Sequence, residues 1–220
     1  MKVFLFRIGN KYGPEYETYL NKKLKAYNLV WIREPFRSSV ALQWNKVFCM
    51  AYDTEEPIVV MDIDVILTND YHKLFEYPVD KDEFLTIRSW WTKKRTPYTI
   101  NGGFYKYYPQ SCRYIYEKFN EDPQYWQKYY IDQGITVGPV NGEQNFIEDS
   151  VRERLYLKTF PSEWCTKYTQ SEDQNKWLEK KYPGGTLIKD GTFNPQIKLV
   201  HFNYSLNKPH ESKLFEHLYK

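Results

Sequence analysis

Residues Pro57–Leu67 read PIVVMDIDVIL, so that Asp62 and Asp64 stand one residue apart inside an otherwise apolar run. An unbroken stretch such as Ile58–Met61, following a proline and rich in β-branched residues, reads as a strand covered on both faces, as in a parallel sheet. Acids are almost never fully buried without a partner. Asp62 and Asp64 therefore mark where the strand emerges at its carboxyl end, which in open α/β sheets is where ligands bind. On extended backbone, residues i and i+2 face the same side, so both carboxylates can address one cation. Oxygen ligands of this kind suit Mg2+ or Mn2+ better than zinc.

Around this strand the pattern alternates. Lys2–Ile8 reads as a strand and is broken by Gly9-Asn10-Lys11-Tyr12-Gly13-Pro14. Glu15–Tyr27 places Tyr16, Tyr19, Leu20, Leu24 and Tyr27 along one helical side. Leu29–Ile32 suits a second strand, and Ser38 or Ser39 is placed to cap a helix running to about Tyr52. Downstream, Phe84–Ser89, Thr99–Tyr107, Leu155–Phe160 and Lys198–Phe202 read as strands, Ser111–Phe119 and Gln144–Arg154 as helices. Strands alternating with helices predict βαβ units: one α/β, Rossmann-like domain over 1–220, with a mostly parallel central sheet flanked by helices.

The 220 residues are 41% hydrophobic and 27% charged, which predicts a packed core and excludes disordered, collagen-like and coiled-coil classes. Net charge is +3 from 31 basic and 28 acidic residues, too balanced to point to nucleic acid. Aromatic residues are the outlier at 19%, and such rings suit sugars or bases as well as a core. Cys49, Cys112 and Cys165 show no CxxC spacing, which fits a reducing compartment. The first residues carry no signal-peptide apolar region. No run of about 18 apolar residues occurs, so no membrane span is expected and the protein is expected to be soluble and cytoplasmic.

The D-x-D pair admits several readings. An EF-hand calcium loop fails, because Leu67 occupies the position of its glycine. DIDVILTND resembles the strand-then-DxDxT signature of haloacid-dehalogenase-type phosphatases, which would make Asp62 a nucleophile. That family places the motif on its first strand with Gly after the second Asp; here a strand, a helix and another strand come first, and the residue is Val65.

Near the end of the chain stands Leu199-Val200-His201-Phe202-Asn203-Tyr204-Ser205-Leu206-Asn207-Lys208-Pro209-His210. It resembles the apolar-His-Phe…Lys-Pro-Trp motif of GT-A glycosyltransferases, closest to retaining enzymes of the glycogenin and galactosyltransferase kind. The resemblance implies His201 as third metal ligand beside Asp62 and Asp64, and Lys208 as a contact of the donor diphosphate. His210 replaces the Trp, and one extra residue separates His201 from Lys208. Thr99-Ile100-Asn101-Gly102-Gly103-Phe104 is similar to the family's N-(S/G)-G strand, which implies that Asn101 bonds the donor sugar and that Gly102 and Gly103 let the backbone approach it. A plain β-bulge glycine pair is the alternative. Gly142-Glu143-Gln144-Asn145 resembles the Asp-Gln motif at a helix start, with Glu143 and Gln144 beneath the anomeric carbon; Asp132-Gln133 is a second candidate, followed by Gly134. The likeness runs from Val3 to Pro209 as scattered motifs.

The resemblance implies a nucleotide-binding half over about 1–100, with Phe6, Arg7, Gly9 and Tyr12 around the base and Ile63 between the metal acids. Arg37 and Lys46 would add positive charge beside the diphosphate. An acceptor-binding half over about 101–220 would take a glycan or glycoprotein, with Trp90, Trp91, Tyr105, Tyr107 and Trp164 as candidate sugar walls. Lys93-Lys94-Arg95 reads as a solvated turn or a lid. A UDP-sugar donor with Mn2+ or Mg2+ and retention is implied, the leaving phosphate deprotonating the acceptor. Inversion would instead use Glu143, Asp132 or Asp149 as base. A non-catalytic carbohydrate-binding module is the remaining alternative.

Overall fold

The computed structural model describes residues 1–89, 98–137, 142–168, 176, 180, 187–189, 192–202, 208–211 and 215–219. Strand β1 (Lys2–Phe6) runs parallel to β2 (Asn28–Ile32) on one side and to β3 (Ile58–Met61) on the other. Next comes β6 (Ile100–Tyr107), antiparallel both to β3 and to β5 (Glu83–Arg88), and β7 (Tyr156–Thr159) lies parallel to β5. The sheet order is β2-β1-β3-β6-β5-β7, in which β6 alone runs against the rest. This is the expected mostly parallel α/β sheet.

Its two faces explain the unbroken apolar run. Val3, Leu5, Val59 and Met61 face one core, with Tyr16 and Leu20 of α1 (Pro14–Lys23) packed on them. Phe4, Ile58 and Val60 face the other, together with Trp44, Val47, Ile115 and Phe146. Alternate residues of one strand thus enter opposite cores, so every position from 58 to 61 is buried. The second core is closed by the segment Leu42–Ala51, α3 (Pro109–Glu121) and α5 (Glu143–Arg154). Proline opens α1, α3 and α4 (Pro123–Asp132), where its fixed φ suits the first turn and its missing N–H is not needed.

Several boundaries differ from expectation. Helix α1 ends at Lys23, with Leu24 as C-cap, rather than reaching Tyr27. Neither Ser38 nor Ser39 caps the next element; Leu42–Ala51 is a 3₁₀ segment starting after Ala41. Asn45 accounts for part of this: its amide donates to the carbonyls of Val40, Ala41 and Leu42 and accepts from Phe36 N–H, competing with a regular α ladder.

A smaller sheet, unanticipated in part, decides the site. Val65–Leu67 forms β4, which pairs antiparallel with β11 (Leu199–His201); β11 in turn runs parallel to β8 (Cys165–Lys167). Helix α2 (His72–Glu76) follows β4, and β9 (Ile188–Lys189) and β10 (Thr192–Phe193) form a separate hairpin. Among the described residues, no helix is long and apolar enough to cross a membrane.

Candidate active site

The corner between β3 and β4 carries Asp62, Ile63 and Asp64. Asp62 N–H donates to Gly103 C=O at 3.0 Å, which keeps the corner stitched to β6. Ile63 is buried in the first core, whereas the side chains of Asp62 and Asp64 stay 25% and 15% exposed, open to an incoming ligand. The β4–β11 register sets His201 opposite Val65, and Phe202 N–H donates to Asp64 C=O at 3.0 Å. That pairing carries the imidazole across the chain to the acids. His201 Nε2 lies 3.4 Å from Asp62 Oδ2 and 3.5 Å from Asp64 Oδ1. One ligand atom from each residue falls within 4.8 Å of the others. Two carboxylates and an imidazole on so small a radius form a donor set that fits one divalent cation such as Mn2+ or Mg2+. His201 Nδ1 is buried and has no hydrogen-bond partner among the described residues.

The charges are mutually held. Burial would raise the Asp62 carboxyl, but Lys46 and His201 overcome it and keep it well below the usual carboxylate range. Asp64 behaves alike, with His201 and the Tyr12 hydroxyl outweighing burial. Burial alone would lower His201; the two carboxylates push it up instead, to about 9. Lys46 was expected to contact a diphosphate. It is buried, its Nζ 2.6 Å from Asp62 Oδ1 and 2.7 Å from Gly102 C=O. Its charge is paired with the Asp62 carboxylate.

The β-bulge reading of the glycine pair is visible here. The β5–β6 register shifts between Thr86, opposite Tyr105, and Ile87, opposite Asn101, so Gly102–Phe104 bulge out of the ladder. Thr86 Oγ1 stitches the bulge by donating to Asn101 C=O (3.2 Å) and Phe104 C=O (3.0 Å). A Cβ on Gly103 would stand 2.8 Å from Asn101 Oδ1 and 3.1 Å from the His201 ring. One on Gly102 would stand 3.1 Å from the Tyr105 hydroxyl and 3.3 Å from Glu143 Oε2. Protein groups thus crowd both positions, Gly103 more tightly than Gly102. Asn101 is buried, and its Oδ1 accepts Gly103 N–H at 3.0 Å; that atom shapes the bulge rather than facing a sugar.

Helix α5 begins directly beneath. Gln144 Oε1 accepts Gly102 N–H at 3.2 Å. Glu143 is 3% exposed, and its Oε1 has no hydrogen-bond partner among the described residues. Burial and the charge of Asp62 push its carboxyl up to about 7, against the pull of Lys46. The competing pair falls elsewhere: Asp132 closes α4, Gln133 is its C-cap, and Gly134 adopts φ +66°. Asp149, a candidate inverting base, accepts the hydroxyls of Tyr98 (3.0 Å) and Tyr130 (2.7 Å).

The loop after β1 lies on the same side. Gly9 has φ +75°, a conformation that favours glycine. Arg7 is paired with Glu17, which also binds Arg33, and Arg7 Nη1 reaches Tyr12 C=O at 3.5 Å. Tyr12 O–H donates to Asp64 Oδ2 at 2.6 Å, a link that no local pattern announced. Lys208 precedes the turn Pro209–Glu211, which rests on α1 where His210 meets Tyr16 edge-on at 5.5 Å.

Other expected contacts are not brought together. Arg37 donates to Asn120 at 2.6 Å and lies over the Phe48 ring, while Phe6 packs on the second core. Tyr105 and Tyr107 are wholly buried and cannot wall a sugar site. Trp164 packs on Tyr77, with Lys198 over its ring. Trp90, Trp91, Lys93–Arg95 and Asn203–Asn207 lie outside the described residues.

No protein-family model matches the sequence, and neither does any curated protein. In fold the chain is similar to the glycosyltransferase GlyE of Streptococcus pneumoniae TIGR4 in its apo form (TM-score 0.59, 13% identity, 99% of this chain covered). It spans 59% of the GlyE chain. It is similar as well to the galactosyltransferase LgtC in complex with donor and acceptor sugar analogs (TM-score 0.61, 11% identity, 100% of this chain and 95% of that one). Apo mouse xyloside xylosyltransferase 1 gives a TM-score of 0.50 at 14% identity, over 94% of this chain and 86% of that one. At these identities the likeness establishes the fold, a GT-A-type α/β domain.

Proposed function

We propose that the protein is a metal-dependent glycosyltransferase that moves a sugar from a UDP-sugar to a glycan or glycoprotein acceptor, with retention. One observation carries the reading: the Asp62–Asp64 pair and His201, far from it in sequence, converge on a single cation-sized site at the carboxyl edge of the sheet. The glycosyltransferase fold of the neighbours supports it.

A divalent cation held by these three residues supplies Lewis-acid charge for a departing diphosphate. Lys46 keeps Asp62 ionised and fixed. Gln144, whose Oε1 holds Gly102 N–H, and Glu143 beside it at the start of α5 would steady a positive charge developing on the sugar carbon. Lys208 supplies further positive charge for the diphosphate. The half over about 1–100 binds nucleotide, and the half over about 101–220 receives the acceptor. The phosphatase alternative is weaker, because Asp62 shares its site with an imidazole and a buried lysine instead of standing as a free nucleophile. The combination of MDIDVIL with NGGFYKY also resembles the amino-terminal glycosyltransferase domain of a chlorovirus enzyme that glycosylates the major capsid protein. On that resemblance the acceptor is a glycoprotein and the site of action the host cytoplasm.

Calorimetry of UDP with Mn2+ tests the reading: heat for the wild type that is lost in Asp62→Ala supports it. Equal heats for both, or none for either, remove it. A screen of nucleotide sugars for Mn2+-dependent hydrolysis then identifies the donor.

A further inference from the structure

Asp64 uses its two oxygens in different directions. Oδ1 lies in the cation-sized site, 3.5 Å from His201 Nε2. Oδ2 accepts the Tyr12 hydroxyl at 2.6 Å, a short charge-assisted bond on a partly buried pair. Tyr12 belongs to the loop after β1, and its ring is fixed on one edge by Tyr16, with centroids 4.9 Å apart. Lys11 Nζ stands 4.7 Å from the centroid of the same ring. The backbone of Tyr12 is tied to Arg7, itself paired with Glu17 of α1. One aromatic residue therefore joins the loop that would carry a base to the carboxylate that would carry a cation.

We propose that Tyr12 is a positioning residue for the cation. Its hydroxyl holds Asp64 with Oδ1 turned into the site, so that stacking of a nucleotide base on its ring and binding of the cation reinforce each other. The inference rests on the glycosyltransferase reading of the site and adds to it a coupling carried by the protein itself. A carboxylate whose second oxygen is already bonded loses less freedom when it takes a metal, which is why outer partners of ligands tune affinity. Any such coupling is reciprocal: a base that steadies Tyr12 must tighten the cation by the factor with which the cation tightens the base.

The test is a titration of free Mn2+ by electron paramagnetic resonance with wild type, Tyr12→Phe, Tyr12→Leu and Asp64→Ala. Tyr12→Phe keeps the ring and deletes only the bond; it is expected to weaken Mn2+ binding about ten- to a hundred-fold. Equal Mn2+ affinity in Tyr12→Phe and wild type overturns the proposal. Uridine, which has no phosphate to reach the metal, is expected to tighten Mn2+ in wild type and not in Tyr12→Phe. The same enhancement in both, or none in wild type, overturns the coupling. Tyr12→Leu is expected to match Tyr12→Phe for Mn2+ and to lose uridine as well. A wild type that binds no Mn2+ removes the metal reading itself. Mn2+ lost in Asp64→Ala but undiminished in Tyr12→Phe removes the tyrosine's role alone.

Discussion

Helix α5 buries two glutamates five positions apart, and they live in opposite circumstances. Glu148 is fully buried, yet its carboxylate is saturated. It accepts Thr99 N–H (2.8 Å), the Thr99 hydroxyl (2.8 Å) and Ile100 N–H (3.1 Å), and Arg152 closes on it at 2.6 Å. Glu143, the first residue of the helix, has an oxygen with no hydrogen-bond partner among the described residues and faces Lys46 and the Gly102 bulge. A buried acid with all its lone pairs used locks backbone in place, here the entry of β6. A buried acid left incomplete is costly and marks a place where chemistry has been favoured over stability. The first residue and the middle of one helix separate these purposes.

The contrast is most directly broken at the site end. Asp64→Ala is expected to lower the transfer rate by about a thousand-fold, the scale of removing one electrostatic catalytic group. Its urea midpoint should move far less than that of a Glu148 variant. If the rate survives, the site has been placed wrongly.

In the middle of the helix, Glu148→Ala should unfold more easily by about 3 kcal/mol. Thr99 and Ile100 N–H lose their acceptor within the fold, and each such loss costs about 1–3 kcal/mol. Chemical denaturation measures this, and a change under about 1 kcal/mol would erase the distinction between the two acids.

A pH series sharpens it. The Glu143 carboxyl is raised from 4.5 in the unfolded chain to about 7 in the fold. Its neutral form is therefore the stable one, and the associated stability is present below pH 4.5 and lost as pH rises through about 7. Glu143→Gln should match wild type in acid and become more stable above neutrality, by on the order of 3 kcal/mol. Urea midpoints at low and high pH read the crossing; parallel curves would mean that Glu143 is as well satisfied as Glu148.

The smallest effect concerns the bulge between them. Gly103→Ala places a methyl against Asn101 Oδ1 and the His201 ring, and should cost about 1–2 kcal/mol of stability. Mn2+ titration should show weaker binding as well, since the imidazole must shift. Unchanged Mn2+ affinity would show that the histidine can give way.

Legibility in the sequence followed the range of the interactions. The strand Ile58–Met61, the helices expected from Ser111 and Gln144 (observed as Pro109–Glu121 and Glu143–Arg154) and the strands flanking them were readable because a period of 2.0 or 3.6 is written into neighbouring residues. Strand β4 was missed, because Val65-Ile66-Leu67 continues the apolar run of β3 and nothing local says that it leaves for another sheet. Helix α4 was missed although Pro123 opens it, since Tyr125, Trp126, Tyr129 and Tyr130 also suit an aromatic loop. Lys46 and Tyr12 were singled out, yet for a ligand; their partners Asp62 and Asp64 lie far along the chain.

By itself the amino-acid sequence determined the alternation of strands and helices and the position of two acids at a strand end, because steric preference and hydrophobic period act between near neighbours. The motif at Leu199–His210 had already implied His201 as the partner of the acid pair, and the structure brings it there; only the tertiary structure decided that Lys46 neutralises Asp62 and that Tyr12 grips Asp64. The place of His201 depends on the antiparallel register of β4 with β11 and that of Gly102 and Gly103 on the bulge in β6, pairings between segments far apart in the chain that no local period announces.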